Sequence, residues 1–178
     1  MRGLRAGRVA LCLSLAGQAA LAAPTNSQAA SCSELSTSTP NWNITNAASS
    51  DWPGGASGRV ELFARHIPTN VLLDCDVEYR LNQTSGEIVD YDPTVSHECM
   101  NFGEAPLNTS VALDMTNLQL NIKSVWTCEE DDKTYTATGS VKLQRDTSPG
   151  ACLVEPSQVG DSTTCPIADV SVEGKLVE

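Results

Sequence analysis

The chain has 178 residues, enough for one domain, with 11 Lys and Arg against 22 Asp and Glu and a formal net charge of −11. That charge repels phosphate backbones and anionic lipid heads, which excludes nucleic acid and membrane surfaces as partners. Seven cysteines stand beside only two histidines, and no cysteine pair has Cys-x-x-Cys spacing. The expectation is therefore disulfides, with no metal and no cofactor.

Residues 1–22 read as a secretory signal peptide. Arg2, Arg5 and Arg8 form a basic start, Val9 to Leu21 an apolar run too short to span a bilayer, and Ala20-Leu21-Ala22 a small-residue cleavage site. Removing this leader leaves 8 basic against 22 acidic residues, a net charge of −14, and an expectation of a secreted, extracellular protein. Cys12 leaves with it, so six cysteines remain: Cys32, Cys75, Cys99, Cys128, Cys152 and Cys165. An even number in an oxidising compartment predicts bridges. Three glycosylation sequons fit the same compartment, at Asn43, Asn82 and Asn108.

Residues 23–40, rich in Ser, Thr and Ala, read as a flexible lead-in that Cys32 tethers, and residues 41–178 as the folded domain. Trp42 to Thr45 starts a first strand, and Asp51 to Gly58 is a loop by composition. Val60, Leu62 and Ala64 alternate inward. After a turn at Ile67 to Asn70, Val71, Leu73, Cys75, Val77, Tyr79 and Leu81 occupy every second position, the cleanest strand in the chain. Gly86 to Tyr91 predicts another short strand, and Val111, Leu113 and Met115 a further one.

Leu118 to Arg145 reads as a long hairpin around the polar turn Glu129 to Lys133. Leu118, Leu120 and Ile122 face in. The phase then slips by one, predicting a bulge near Ser124 that turns in either Val125 and Thr127 or Trp126 and Cys128. Tyr135, Ala137, Val141 and Leu143 resume the alternation, with Gly139 at a close-packing or bulge position. Cys152 to Cys165 encloses a Pro/Gly loop, and Val170, Val172 and Leu176 form one face of a last strand. About ten short strands without a helix of convincing period predict an all-β fold, a single compact antiparallel β-barrel or sandwich stapled by disulfides.

Catalytic signals are thin. Gly54-Gly55-Ala56-Ser57-Gly58 matches GxSxG in no register, and His66 and His97 lie at strand margins without a triad motif around them. Asp74/Asp76 and Asp90/Asp92 are pairs that so acidic a chain produces by composition. The run Glu129 to Asp132 lacks the spaced ligands of a calcium loop and reads as a solvated hairpin tip. Of three tryptophans, Trp126 beside a half-cystine reads as core. Trp52, in its Gly/Pro loop, is the exposed one and the candidate ligand contact.

Several elements in order resemble the fungal secreted proteins related to the major allergen of Alternaria. They are Cys32 and then Trp42-Asn43-Ile44, Leu73-Asp74-Cys75-Asp76, Cys99, Tyr135-Thr136-Ala137-Thr138-Gly139, and Cys152 and Cys165 followed by Ala168-Asp169-Val170. The resemblance implies an antiparallel β-barrel with bridges Cys75–Cys99 and Cys152–Cys165. It also implies a non-enzymatic allergen, elicitor or effector that meets plant hosts. Family members dimerise through a cysteine at the place of Cys32. Trp126-Thr127-Cys128 departs from that pattern and offers Cys32 a partner within the chain, so two fates stand for Cys32: a bridge to Cys128, or a bridge to a second copy. The expectation is a binding protein, not an enzyme, acting on a host apoplastic protein or small ligand. A cell-wall structural or glycan-binding role is the alternative, and a carboxylate-based hydrolase ranks last.

Overall fold

A computed structural model describes residues 29–177; the expected signal peptide lies outside them. Strand-forming alternation dominates, because one face of each strand meets the core and the other meets water. Thirteen strands appear among the described residues. They are β1 (Trp42–Trp52), β2 (Ser57–His66), β3 (Val71–Leu81), β4 (Ile88–Val89), β5 (His97–Glu98), β6 (Met100–Asn101), β7 (Leu107–Asp114), β8 (Gln119–Cys128), β9 (Lys133–Lys142), β10 (Leu153–Glu155), β11 (Ser162–Ile167), β12 (Val170–Val172) and β13 (Gly174–Leu176).

All pairings between these strands are antiparallel, in two curled sheets that form a half-barrel. One runs β10-β11-β1-β2-β3-β4, with β12 on β1 and β6 on β3; the other runs β13-β9-β8-β7-β5. Two short stretches pass from sheet to sheet and join their margins. Residues 97–101 pair first with β7 and then with β3, and residues 170–176 pair first with β1 and then with β9. Gly139 and Gly174 make the second corner possible. A Cβ on Gly174 would lie 1.7 Å from the Pro40 carbonyl oxygen, and one on Gly139 would lie 2.8 Å from that of Glu173.

The core between the sheets holds Leu62, Leu73, Val77, Leu120, Ile122 and Leu143, with Trp42 and Trp126 at one end. Of the inward residues expected on the two cleanest strands and the hairpin, only Leu118 and Val141 stay half-buried. The three bridges are Cys32–Cys128, Cys75–Cys99 and Cys152–Cys165, with Cα separations of 5.7, 4.3 and 4.2 Å. The alternative of a Cys32 bridge between copies is not the state of this chain. Three disulfides belong to an oxidising environment, and no helix among the described residues is long and apolar enough to cross a membrane.

The expected bulge near Ser124 is absent. β8 alternates without interruption, pairing Leu107↔Trp126 through Asp114↔Gln119 on one side and Gln119↔Lys142 through Cys128↔Lys133 on the other. Ser124 is itself an inward residue and fully buried. Its hydroxyl accepts from Trp42 Nε1 at 3.0 Å and lies 2.6 Å from Thr109 Oγ1, so a polar side chain holds a core position by being hydrogen-bonded.

The bulge sits instead in β1. Between Thr45↔Phe63 and Ala48↔Glu61 the strand spends three residue steps against two on β2. Asn46 adopts φ 51°, a left-handed conformation that asparagine tolerates, and its amide donates to Asp169 Oδ1 at 3.3 Å.

Three further differences are local. The segment expected as a loop, residues 51–58, keeps only a single 3₁₀ turn at Pro53–Gly55 and Ala56 between β1, which runs to Trp52, and β2, which starts at Ser57. The strand expected over Gly86 to Tyr91 contracts to β4. The last strand splits where it changes sheets, leaving Val172 buried but Leu176 43% exposed.

Where no helix was expected, Cys32–Ser38 forms α1, with Ser31 Oγ accepting from the Glu34 amide as N-cap. Its one fully buried residue, Ser36, accepts from Trp126 Nε1 at 2.8 Å. Seven residues are too short to show helical periodicity, and packing on Trp126 plus the bridge to Cys128 supplies what propensity does not.

Candidate cleft at the far end of the first strand

The two ends of β1 have opposite character. At the Trp42 end the barrel is closed: His66, fully buried, lies 5.8 Å from the Trp42 ring and 4.5 Å edge-on to Trp126, which stacks on Tyr135 at 5.8 Å. His66 Nδ1 is 2.9 Å from Thr69 Oγ1, and Nε2 has no partner. Burial among aromatic rings pushes the imidazole pKa down to about 3, so it is neutral at physiological pH. It is a core residue bonded to a threonine, not to a carboxylate, and it forms no triad.

α1 covers this end. The Ser33 amide donates to Glu130 Oε1 at 2.7 Å, which holds the Glu130 carboxyl below its usual range. The acidic hairpin tip is exposed, as expected, and through Glu130 it docks the helix. Glu130 also lies close to the Cys32 and Cys128 sulfurs. Because these sulfurs are bonded to each other, they offer no thiolate to a metal.

At the other end, β1 finishes beside an open cleft of about 480 Å³. Trp52, Arg59, Glu78 and Arg80 line it, with Ser50 and Ser57. Trp52 reaches this cleft because of the bulge at Asn46. Trp42 and Trp52 are ten residues apart and in an unbroken strand would share a face. The extra residue reverses parity, so Ala47, Ser49 and Asp51 turn inward and Trp52 turns outward.

The ring is then held in place. Trp52 Nε1 donates to the Gly160 carbonyl at 3.1 Å, and the ring lies so close over Gly55 that a Cβ there would sit 2.1 Å from it. A Cβ on Gly54 would lie 1.5 Å from the Val159 carbonyl oxygen. The glycines of this stretch therefore let the loop joining β10 to β11, closed by Cys152–Cys165, pack against the Pro53–Gly55 turn and fix the indole.

Beneath the cleft floor, Tyr79 donates its hydroxyl to Asp51 Oδ1, and Arg145 Nη1 lies 3.7 Å from Asp51 Oδ2. Burial, then the hydrogen bond to Asp51, push the Tyr79 phenol up, so it stays a donor. On the outer face Arg59 pairs with Glu61 and, at 3.7 Å, with Asp76; Arg80 lies 3.6 Å from Asp90. Burial raises the Asp76 carboxyl, Arg59 opposes it, and Glu78, Glu61 and Asp74 reinforce it. Arg59 and Arg80 are thus each paired with carboxylates.

The other expected site residues are dispersed. Asn43 is half-exposed on β1, Asn108 is exposed on β7, and Asn82 is exposed in a turn where its Oδ1 accepts from the amides of Thr84 and Ser85. His97 is half-buried in β5. Asp90 lies on the rim of a separate cleft with Asp114, apart from Trp52. Sequence reasoning missed the inward Ser36 and Ser124, the Asp51–Tyr79–Arg145 group and the arginines of the cleft. Only Ser124 had a signal, since Leu120, Ile122, Ser124, Trp126 and Cys128 alternate once serine is admitted to the core. Compared with protein-family models, with curated proteins and with solved structures, the chain matches none of them.

Proposed function

We propose that the chain is a secreted, non-catalytic binding protein of the effector or elicitor type, akin to the fungal Alternaria-allergen-like proteins, and that it takes its ligand at the Trp52 cleft. The observation that carries this reading is the outward turn of Trp52 by the bulge at Asn46 onto an open cleft, with its ring immobilised by Gly160 and Gly55. An aromatic ring fixed before binding loses little entropy when a ligand stacks on it. Arg59, Arg80, Ser50 and Ser57 supply donors around it and Glu78 an acceptor. The balanced charge favours, within the small-ligand class, a wall glycan or a planar polar metabolite; a host protein would present a side chain of the same chemistry.

Trp52 also provides the readout, because Trp42 and Trp126 are fully buried and Trp52 alone is solvent-accessible. Titration with neutral wall oligosaccharides and with plant apoplastic extract fractions is expected to change its fluorescence saturably. Trp52→Ala is expected to weaken binding at least about tenfold, or 1.4 kcal/mol, with the thermal transition kept. Binding that survives Trp52→Ala and Arg59→Ala would place the ligand elsewhere and end this reading. Turnover of any glycan or ester in the panel, abolished by one Asp or Glu substitution, would replace it with a hydrolase.

A further inference from the structure

The outer face of the large sheet carries a second groove, of about 390 Å³, on the face opposite the core. Asn43, Thr45, Phe63, Arg65 and Leu72 line it. Strand register orders these residues into two cross-strand rows. Thr45 pairs with Phe63, Phe63 with Asp74, and Asp74 with Met100. In the next row Asn43 pairs with Arg65 and Arg65 with Leu72, whose carbonyl accepts from the Phe102 amide at 3.2 Å. Phe63 and Leu72 are half-buried, while Met100 is 61% and Phe102 57% exposed. An apolar patch therefore begins one strand away from Asn43, at the usual strand spacing of about 4.8 Å.

Asn43 is the acceptor position of the Asn43-Ile44-Thr45 sequon, with Thr45 two residues on. Its Oδ1 accepts from Ser171 Oγ at 2.8 Å, which orients the amide and leaves Nδ2 outside that bond. We propose that Asn43 carries an N-linked glycan whose first sugars lie in this groove against Phe63 and Leu72, so that the apolar patch is covered by the chain's own modification. The inference rests on export of the chain and is independent of the Trp52 cleft.

The reaction belongs to the secretory route, before folding, with a lipid-pyrophosphate-linked oligosaccharide as donor. Nδ2 of Asn43 bonds to the anomeric carbon of the first sugar. The bond from that carbon to the pyrophosphate oxygen breaks, its electron pair leaves on the pyrophosphate, and Nδ2 gives up one proton. In the folded protein the apolar face of that sugar meets the Phe63 ring diagonally across β1 and β2, a distance that cross-strand neighbours span. Asn82 offers the contrast. Its exposed turn is held by polar groups, with Asn82 Oδ1 accepting from the amides of Thr84 and Ser85 and Ser85 bonded to Glu87.

The test uses the full chain secreted from a eukaryotic host, with Asn82→Gln and Asn108→Gln so that Asn43 is the only acceptor. Peptide mass mapping is expected to find Asn43 occupied. Enzymatic removal of the glycan is expected to lower Tm by about 2–4 °C, and by less than half as much when Phe63→Ser is added. In the unmutated protein, hydroxyl-radical labelling of Phe63 and Met100 is expected to rise on deglycosylation, a readout that needs no variant to fold. An unmodified Asn43, an equal Tm loss with and without Phe63, or labelling unchanged by deglycosylation would each overturn the proposal. The last outcome would leave the patch open to a protein partner.

Discussion

Trp42 and Trp52 stand at the two ends of the same eleven-residue strand and have opposite fates. Trp42 is fully buried, donates to a buried serine and packs beside Gly139 and Gly174. Trp52 stands half-exposed over a cleft and donates to a loop carbonyl. Residue type does not separate them; one extra residue at Asn46 does. The difference shows how a strand can deliver one aromatic side chain to the core and another to a surface site without changing direction.

The sharpest way to break the contrast is at the bridges, since each end has its own. Cys32–Cys128 spans 96 residues and holds α1 over the closed end, whereas Cys152–Cys165 spans 13 and closes the hairpin beside Trp52. Loop-closure entropy predicts a loss of about 4.7 kcal/mol for the Cys32→Ser, Cys128→Ser pair and about 3 kcal/mol for Cys152→Ser, Cys165→Ser. Urea unfolding of the two double variants checks the order. Equal losses would show that native-state packing of α1, rather than chain restriction, decides the first value.

Next in size, Trp42→Ala is expected to cost about 4 kcal/mol, within the range for truncating a large core aromatic. It removes the ring and also leaves Ser124 without its indole donor. Denaturant midpoints against the parent chain measure it.

His66 gives the closed end a pH signature. Its folded pKa, about 3, lies below the unfolded value of about 6.5. The unfolded chain therefore takes up a proton that the folded chain refuses as pH falls below 6.5. The stability this contributes is fully present above pH 6.5 and is lost towards pH 3, with a slope of at most about 1.4 kcal/mol per pH unit. Between pH 6.5 and 5, before most carboxylates titrate, the unfolding midpoint should fall in the parent chain and stay nearly flat in His66→Phe.

The smallest effect belongs to the open end. Trp52→Ala removes one hydrogen bond and a half-exposed ring and is expected to cost about 1 kcal/mol, measured on the same urea curves. A loss as large as that of Trp42→Ala would mean that the cleft is structural, and the contrast between the two ends would fail.

The sequence by itself determined the all-β class and the inward faces of β2, β3, β9 and the start of β8, but not the second half of β8, where a bulge was expected. Alternation with a period of two is a local property, and burial follows directly from it. The bridges Cys75–Cys99 and Cys152–Cys165 came with the family resemblance. Cys32–Cys128 stood as one of two fates for Cys32 until the fold brought those Cα atoms to 5.7 Å. The surprises share one cause. Ser124 looks like a break in the pattern because a hydroxyl is costly in a core unless it is bonded, and its partners, Trp42 and Thr109, are 82 and 15 residues away. α1 is stable through contacts with Trp126 and Cys128, not through its own turns. The bulge at Asn46 depends on pairing with β2 and on Asp169, 123 residues on. Trp52 was legible as an exposed ring. The cleft beneath it was not, because Arg59, Glu78 and Arg80 join it only when β2 and β3 are laid beside β1, and long-range pairing alone decides that.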